Sequence, residues 1–205
     1  MTGGGTVEQI LHLVHGAGGP EDRSARRQQV VARDVASVRG RSPGSRAMGF
    51  DGRRSRVIVR PSDAWDVLDG IRVSCWIWVS AVRGRHTIVE GYLAFALFID
   101  NDGSIAGTVY DGFDWCGVQS SLGAVPVGRW MHVSFFYDGV DTCALYVDGD
   151  RCAVEYTPYG PAQGVAWPYG VNIGAWPDGD KRILDGRVEE LVVWRLVGAG
   201  SGPPP

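Results

Sequence analysis

The sequence predicts an all-β protein built from two antiparallel sheets packed face to face, and three observations carry that prediction. First, apolar runs alternate with Asp-Gly pairs, most clearly from Trp130 to Gly149 (WMHVSFFYDGVDTCALYVDG) and in the return leg DRCAVE. That is how buried strands joined by tight hairpins read. Second, Met131, Val133, Phe135 and Tyr137 share one face of the first run, while His132, Ser134 and Phe136 share the other. Bulk on both faces places the strand inside a stack of two sheets. Third, glycine is abundant, Val, Ile, Trp, Tyr and Phe dominate the apolar set, and long Leu/Ala/Glu/Lys helical segments are absent. With 205 residues the chain can bury one sizeable core, so a single domain is expected.

Taken in order, TVEQILHLV over residues 6 to 14 fits either a short amphipathic helix or a strand beginning at Ile10. RQQVVARDVASVRG fits two short strands or, on its Ala, Arg and Gln content, a helix from Ser24 to Val38. Arg39 to Ala47 is loop. In MGFDGRRSRVIVRP, Phe50 is placed inside, Asp51-Gly52 turns, and Val57 and Val59 share one face of a strand that Pro61 ends. SDAWDVLDG accommodates one helical turn capped by Ser62. The strand IRVSCWIWV sets Ile71, Val73, Cys75, Ile77 and Val79 on one face and Trp76 and Trp78 on the other. HTIVEGYLAFALFIDNDGSIAGTVY reads as a meander turning at Glu90-Gly91 and at Asn101-Asp102-Gly103. The loop DGFDWCGVQSS leads to the central hairpin, where Asp148-Gly149 supplies the positive φ of a type I′ turn. TPYGPAQGVAWPYG is a long loop before the strand VNIGAW, and PDGDKRI turns into the last strand, RVEELVVW. VGAGSGPPP is a flexible end.

The run GRWMHVSFFYDG followed by LYVDG resembles the strand pair of laminin G-like jelly rolls in the concanavalin A-like lectin/glucanase superfamily. MGFDG near Phe50, IRVSCWIWV near Trp76 and LDGRVEELVVW near the C-terminus stand in the order that family shows. The resemblance implies a two-sheet antiparallel jelly-roll sandwich over residues 10–197, an N-terminal extension over 1–9 and a Gly/Pro tail over 198–205. It favours a strand at Ile10–Val14, because phage and bacterial members place a leading apolar strand before a D-x-S turn, here Asp22-Arg23-Ser24. It also reads the following segment as short strands. Many members hold one calcium ion with a carboxylate and backbone carbonyls near the start and end of the domain. The matching places here are Asp51 in FDG and Glu189 in DGRVEEL, with Asp22 as an addition, and Glu stands where the family usually has Asp. Without an ion, Asp51 is a turn residue.

The formal net charge of −3 hides an asymmetry, with an arginine excess over residues 1 to 60 and an acidic remainder. The basic front lacks interleaved aromatics on which bases would stack, so it reads as a solvated sheet face and no nucleic-acid partner is expected. No apolar run approaches the roughly 20 residues of a membrane span. ILHLV is too short for a signal core and is broken by His12, which points to a cytoplasmic or virion-associated protein and not to signal-peptide secretion. Cys75, Cys116, Cys143 and Cys152 fit no usual metal or redox spacing. With Asp148-Gly149 as the turn, Cys143 falls opposite Val154 and Cys152 opposite Leu145, so the thiols are diagonal neighbours and free thiols are favoured over a bridge.

Trp76, Trp130 and Trp194 lie in strand patterns where packing explains them, whereas Trp115, Trp167 and Trp176 lie in loops beside Gly, Pro and Asp. Rings that stack on a sugar's apolar face, next to groups that bond its hydroxyls, are the basis of carbohydrate binding. Asp111, Asp114, Trp115, Trp167, Tyr169, Trp176 and Asp178 supply that chemistry for a glycan or glycoprotein ligand. The competing expectation is that these aromatics plug the ends of the sandwich. A structural or adhesion component of a virion or cell surface, binding a protein partner or itself, is the alternative function. A glucanase is disfavoured: the E-x-D-x-x-E run of the superfamily's hydrolases is absent, Glu189 and Glu190 point to opposite faces, and His12, His15, His86 and His132 stand outside any catalytic motif.

Overall fold

The computed structural model describes residues 6–156 and 160–198. Its strands are β1 (Thr6–Gly16), β2 (Gly19–Asp22), β3 (Val30–Arg33), β4 (Ala36–Arg39), β5 (Arg46–Asp51), β6 (Arg56–Val59), β7 (Gly70–Val79) and β8 (His86–Gly91). They continue as β9 (Phe95–Ile99), β10 (Ile105–Tyr110), β11 (Trp115–Gln119), β12 (Trp130–Tyr137), β13 (Thr142–Val147), β14 (Asp150–Tyr156), β15 (Val171–Ile173) and β16 (Asp185–Val197). A nine-stranded sheet runs β14-β13-β12-β7-β16-β1-β2, with β5 also on β16 and β4 on β5. A seven-stranded sheet runs β11-β10-β9-β8-β15-β6-β3. The expected all-β, two-sheet sandwich is what forms. None of the described helices is long and apolar enough to cross a membrane.

Alternation along each strand decides what closes the sandwich. Met131, Val133, Phe135 and Tyr137 of β12 and Ile71, Val73, Cys75 and Ile77 of β7 are fully or almost fully buried. They face Phe95, Leu97 and Ile99 of β9 and Ile105 and Val109 of β10 in one continuous core. Among the described glycines, the closest approach to a ring of the opposite layer is at Gly107 of β10, where an added Cβ would lie 2.1 Å from the Phe135 ring, followed by Gly174 at 2.2 Å from the Phe50 ring. Any side chain there would hold the sheets apart. Long β16 serves both halves of its sheet by bending: its register shifts between Glu189 and Val192, and Glu190 takes φ 52°. A bulge of this kind lets one strand pair with β5 early and β1 late.

Several local expectations change. β1 starts at Thr6, ahead of Ile10, because residues 6–9 pair with Val197 to Trp194. The rest of the expected N-terminal extension and the tail from residue 199 lie outside the described residues. The segment left open between helix and strands forms β3 and β4, each recruited by a neighbour, β6 and β5, which overrides its helix-permitting composition. One 3-10 turn forms at Asp63–Trp65, but Ser62 caps it with no side-chain bond, its hydroxyl donating instead to Gln28. Glu90-Gly91 is not a turn: both belong to β8, and the chain reverses at Tyr92–Ala94, where Leu93 takes φ 55°. In the central hairpin Val147 faces Asp150 as expected, but a bulge at Cys152 moves Cys143 opposite Glu155. All four cysteines are free thiols.

Bulk on both faces of β12 did not mean burial on both. Trp76, Trp78 and Trp130 lie half-buried on the solvent side of the nine-stranded sheet, where Trp78 packs edge-on to Trp130 at 6.0 Å and Trp76 to His132 at 5.1 Å. Cross-strand pairing of large rings gives them the cover that a third layer would otherwise supply.

Gly107→Ala is expected to destabilise the protein by about 1–3 kcal/mol, the usual cost of overpacking a closed core. Urea unfolding measures it, and an unchanged midpoint would remove this contact as the point of closest approach.

Candidate functional site

The outer face of the seven-stranded sheet carries a groove of about 440 Å³ lined by Arg85, Glu90, Tyr92, Leu93, Ala96, Phe98, Thr108, Trp115, Trp176 and Arg182. Its floor follows from register. Ala96 of β9 stands between Glu90 of β8 and Thr108 of β10, so three outward positions in a row hold two small side chains and one acid. Aromatic rings rise around that floor. Trp115 opens β11 opposite Tyr110, with ring centroids 5.4 Å apart. Trp176, in the loop after β15, is held by its N–H donating to the Lys181 carbonyl at 3.1 Å and by Lys181 and Arg182 over its ring at 5.4 and 4.9 Å. Tyr92 packs on Tyr169 at 4.3 Å. Arg85 lies over the Phe98 ring at 4.0 Å and pairs with Asp100 at 3.1 Å.

Glu90 is the acid of this floor and is only 5% exposed. Burial pushes its carboxyl up to about 7, against the opposing pull of Arg182, the Trp176 indole N–H, Arg85 and Thr87. A strand of a solvent-facing sheet has no structural need for a buried acid, and such groups concentrate at functional sites. Near neutrality Glu90 both accepts and donates hydrogen bonds. That versatility suits recognition of sugar hydroxyls.

The structure brings together part of the residue set that the sequence proposed. Trp115 and Trp176 wall the groove, and Tyr169 reaches it through Tyr92. Asp111 and Asp114 do not line it; they build the loop before β11, the Asp111 carboxylate accepting the N–H groups of Phe113 and Asp114, and Asp114 that of Trp115. Trp167 stands clear of the groove, 81% exposed, and Asp178 is an exposed turn residue. Sequence reasoning missed Glu90, Tyr92, Thr108, Arg85 and Arg182. One signal was present: Glu90 is a lone acid inside the apolar stretch TIVEGYLAFALFI, and assigning it to a turn hid it.

The carboxylates proposed for calcium each accept hydrogen bonds from the chain itself. Asp51 Oδ1 accepts the N–H groups of Arg53, Arg54 and Ser55 and the Ser55 hydroxyl, which holds its carboxyl well below the usual range despite some burial. Asp22 accepts from the N–H groups of His12, Ser24 and Gln28 and from the Ser24 hydroxyl. Glu189 Oε2 accepts the Arg41 N–H at 2.6 Å. Each of the three thus holds backbone N–H groups of the chain's own turns with at least one carboxylate oxygen. Among the described residues, no three His, Cys, Asp or Glu side chains group as metal ligands.

A second trough, of about 520 Å³, lies on the outer face of the nine-stranded sheet between Arg72, His132, Phe136, Tyr146, Arg151 and Tyr156. It is larger, but its floor of Ser134, Ala144 and Val154 holds no buried ionisable group. Beside it Arg41, Arg72 and Arg187 lie over the rings of Trp76, Trp194 and Trp78 at 4.2, 5.3 and 5.1 Å.

A sequence profile of the concanavalin A-like lectin/glucanases superfamily matches residues 51–197. No curated protein sequence matches the chain significantly. Among solved structures it is similar to the binding domain of Paraclostridial Mosquitocidal Protein 1, with TM-score 0.75, 16% identity and coverage of 92% of this chain and 49% of that one. It is similar also to a botulinum neurotoxin type C structure, whose cell entry is dependent upon interaction with two ganglioside molecules (TM-score 0.64, 16% identity, 92% and 48%). A third is the binding domain of botulinum neurotoxin DC in complex with rat synaptotagmin II (TM-score 0.64, 14% identity, 91% and 48%). The chain spans about half the length of these structures, and at such identities the likeness concerns the fold.

Because Glu90 binds its proton more tightly folded than unfolded, its contribution is fully present below the ordinary value of 4.5 and is lost as pH rises to about 7. The loss amounts to at most about 3 kcal/mol. Urea midpoints of the native protein should fall across that window, while Glu90→Gln, which still accepts from the Trp176 indole, flattens the fall. Parallel pH profiles would contradict the assignment.

Proposed function

The chain belongs to the concanavalin A-like lectin/glucanase superfamily, and from that membership we propose that it is a non-catalytic, lectin-like module holding a glycan in the groove of its seven-stranded sheet. One observation carries this: the rings of Trp115, Trp176 and Tyr92 stand around a low floor where Glu90, Thr108 and Arg182 present hydrogen-bonding groups. A pyranose needs those two things together, a ring to lie on and polar groups at its edge. The groove's volume falls within the range of small-molecule sites, about 300–1,000 Å³. Gangliosides and synaptotagmin as ligands of structurally similar domains agree with a glycan or protein partner. Hydrolysis is a poor fit, because glycoside cleavage uses a pair of carboxylates across the scissile bond and, among the described residues, Glu90 is the one acid that lines this groove.

A glycan array, probed with and without chelator, tests the proposal. Binding in the micromolar to millimolar range should persist with chelator, since none of the candidate ion carboxylates lines the groove. Trp115→Ala and Trp176→Ala should each weaken it by about tenfold, equivalent to about 1.4 kcal/mol. Unchanged affinity in both variants would remove the site.

The arginine-stacked tryptophans of the nine-stranded sheet favour a second reading, a structural or adhesion component that binds protein. Trp and Arg are the residues that dominate protein interfaces, and here half-buried tryptophans are preassembled with arginines over their rings. Self-association through this face predicts a concentration-dependent oligomer in light scattering that Trp78→Ala weakens; a strict monomer counts against it.

A further inference from the structure

Three loops meet beyond one end of the groove, and each lifts an apolar side chain into solvent. Leu93 lies between β8 and β9, Phe113 between β10 and β11, and Trp167 between β14 and β15, at 38%, 94% and 81% exposure. The loops are tied into one surface. The Ala166 N–H donates to the Tyr92 carbonyl and the Gln163 N–H to the Tyr110 carbonyl, both at 2.9 Å, while the Gln163 amide donates to the Asp111 carbonyl at 3.1 Å. These tips are the rims of a rigid structure, and their exposure is built in.

We propose that this end of the sandwich is a membrane-interface contact, with Phe113 and Trp167 entering the headgroup–acyl boundary of a zwitterionic bilayer. Three observations single out that partner. First, the loop that carries Phe113 pairs four of its backbone N–H groups within itself. The N–H groups of Phe113 and Asp114 donate to the Asp111 carboxylate at 2.7 and 2.8 Å, that of Trp115 to Asp114 Oδ1 at 2.7 Å, that of Asp111 to the Asp114 carbonyl at 3.2 Å, and the Tyr110 hydroxyl to the Gly112 carbonyl at 3.0 Å. Backbone groups paired within the loop lose little when water is withdrawn, which is the condition for entering lipid.

Second, character changes with exposure. Tyr92, Tyr110 and Tyr169 are half-buried, Trp115 is 39% exposed, and wholly apolar Phe113 is 94% exposed. Amphipathic rings at headgroup level with apolar atoms beyond them reproduce the gradient of a bilayer surface. Third, the charges beside Phe113 are Asp111 and Asp114, and the N–H groups bonded to Asp111 hold its carboxyl below the usual range, so it stays ionised. Acids at the rim disfavour an anionic membrane, so attachment is apolar and insensitive to salt. A protein partner is the poorer fit: two rings, each offering about 150–250 Å², fall short of the roughly 800 Å² per partner of a stable interface.

The test is co-sedimentation of the whole chain with sucrose-loaded phosphatidylcholine vesicles. The native protein should pellet with them equally at low and high salt, and Phe113→Ser/Trp167→Ser should lower the partition coefficient by about tenfold or more with an unchanged melting temperature. Absence of pelleting, or equal pelleting of the double variant, overturns the proposal. So does pelleting confined to phosphatidylserine-containing vesicles and lost in high salt, or a dimer in sedimentation velocity that the double variant dissolves. Neither substituted residue lines the groove, so this proposal and the glycan reading fail separately.

Discussion

The two sheets can close only where one backbone makes room for the other's ring, as Gly107 does under Phe135 and Gly174 does under Phe50. Around Gly107, β7 and β12 on one side and β9 and β10 on the other turn every second residue inward, and those residues are almost wholly buried. The inner positions are thereby committed to packing. What remains for recognition is the outer face of each sheet and the loops at its ends, and all three sites proposed above fall there.

The outer faces differ in how they meet water. On the nine-stranded sheet, large rings cover one another, with arginines laid across them. On the seven-stranded sheet, small residues at Ala96, Ala106 and Thr108 leave a hollow, and rings from neighbouring loops stand around it. Packing alone would fill that hollow, not leave a buried acid beside it. Glu90 instead is desolvated and only partly compensated by Arg182 and the Trp176 indole. Local conflicts of this sort mark places where stability has been exchanged for a task.

The architecture was legible because alternation and Asp-Gly turns are local signals: the β12–β13–β14 meander follows from Tyr137, Asp148 and Gly149 without tertiary information. The ordered motifs near Phe50, Trp76 and Trp130 supplied the rest. What escaped were features created by register. No local pattern announces that Cys152 bulges, or that Glu90, Ala96 and Thr108 line up across three strands. The candidate site was half legible for the same reason. Trp115 and Trp176 are conspicuous beside Gly, Pro and Asp, although Trp115 opens β11 where a loop was expected, whereas Arg85 and Arg182 are ordinary arginines until the fold sets them in the groove. Asp51, Asp22 and Glu189, whose positions suggested an ion, also serve backbone donors of their own turns, a role that sequence position alone does not reveal.

Ligand contact at the outer face of the seven-stranded sheet can be read from a ¹H–¹⁵N spectrum of the tryptophan indoles, assigned by single substitutions and titrated with an oligosaccharide that the protein binds. The indole signals of Trp115 and Trp176 should move with saturation while those of Trp76, Trp78 and Trp130 stay in place. Shifts confined to the latter three would move the site to the opposite sheet and contradict this placement.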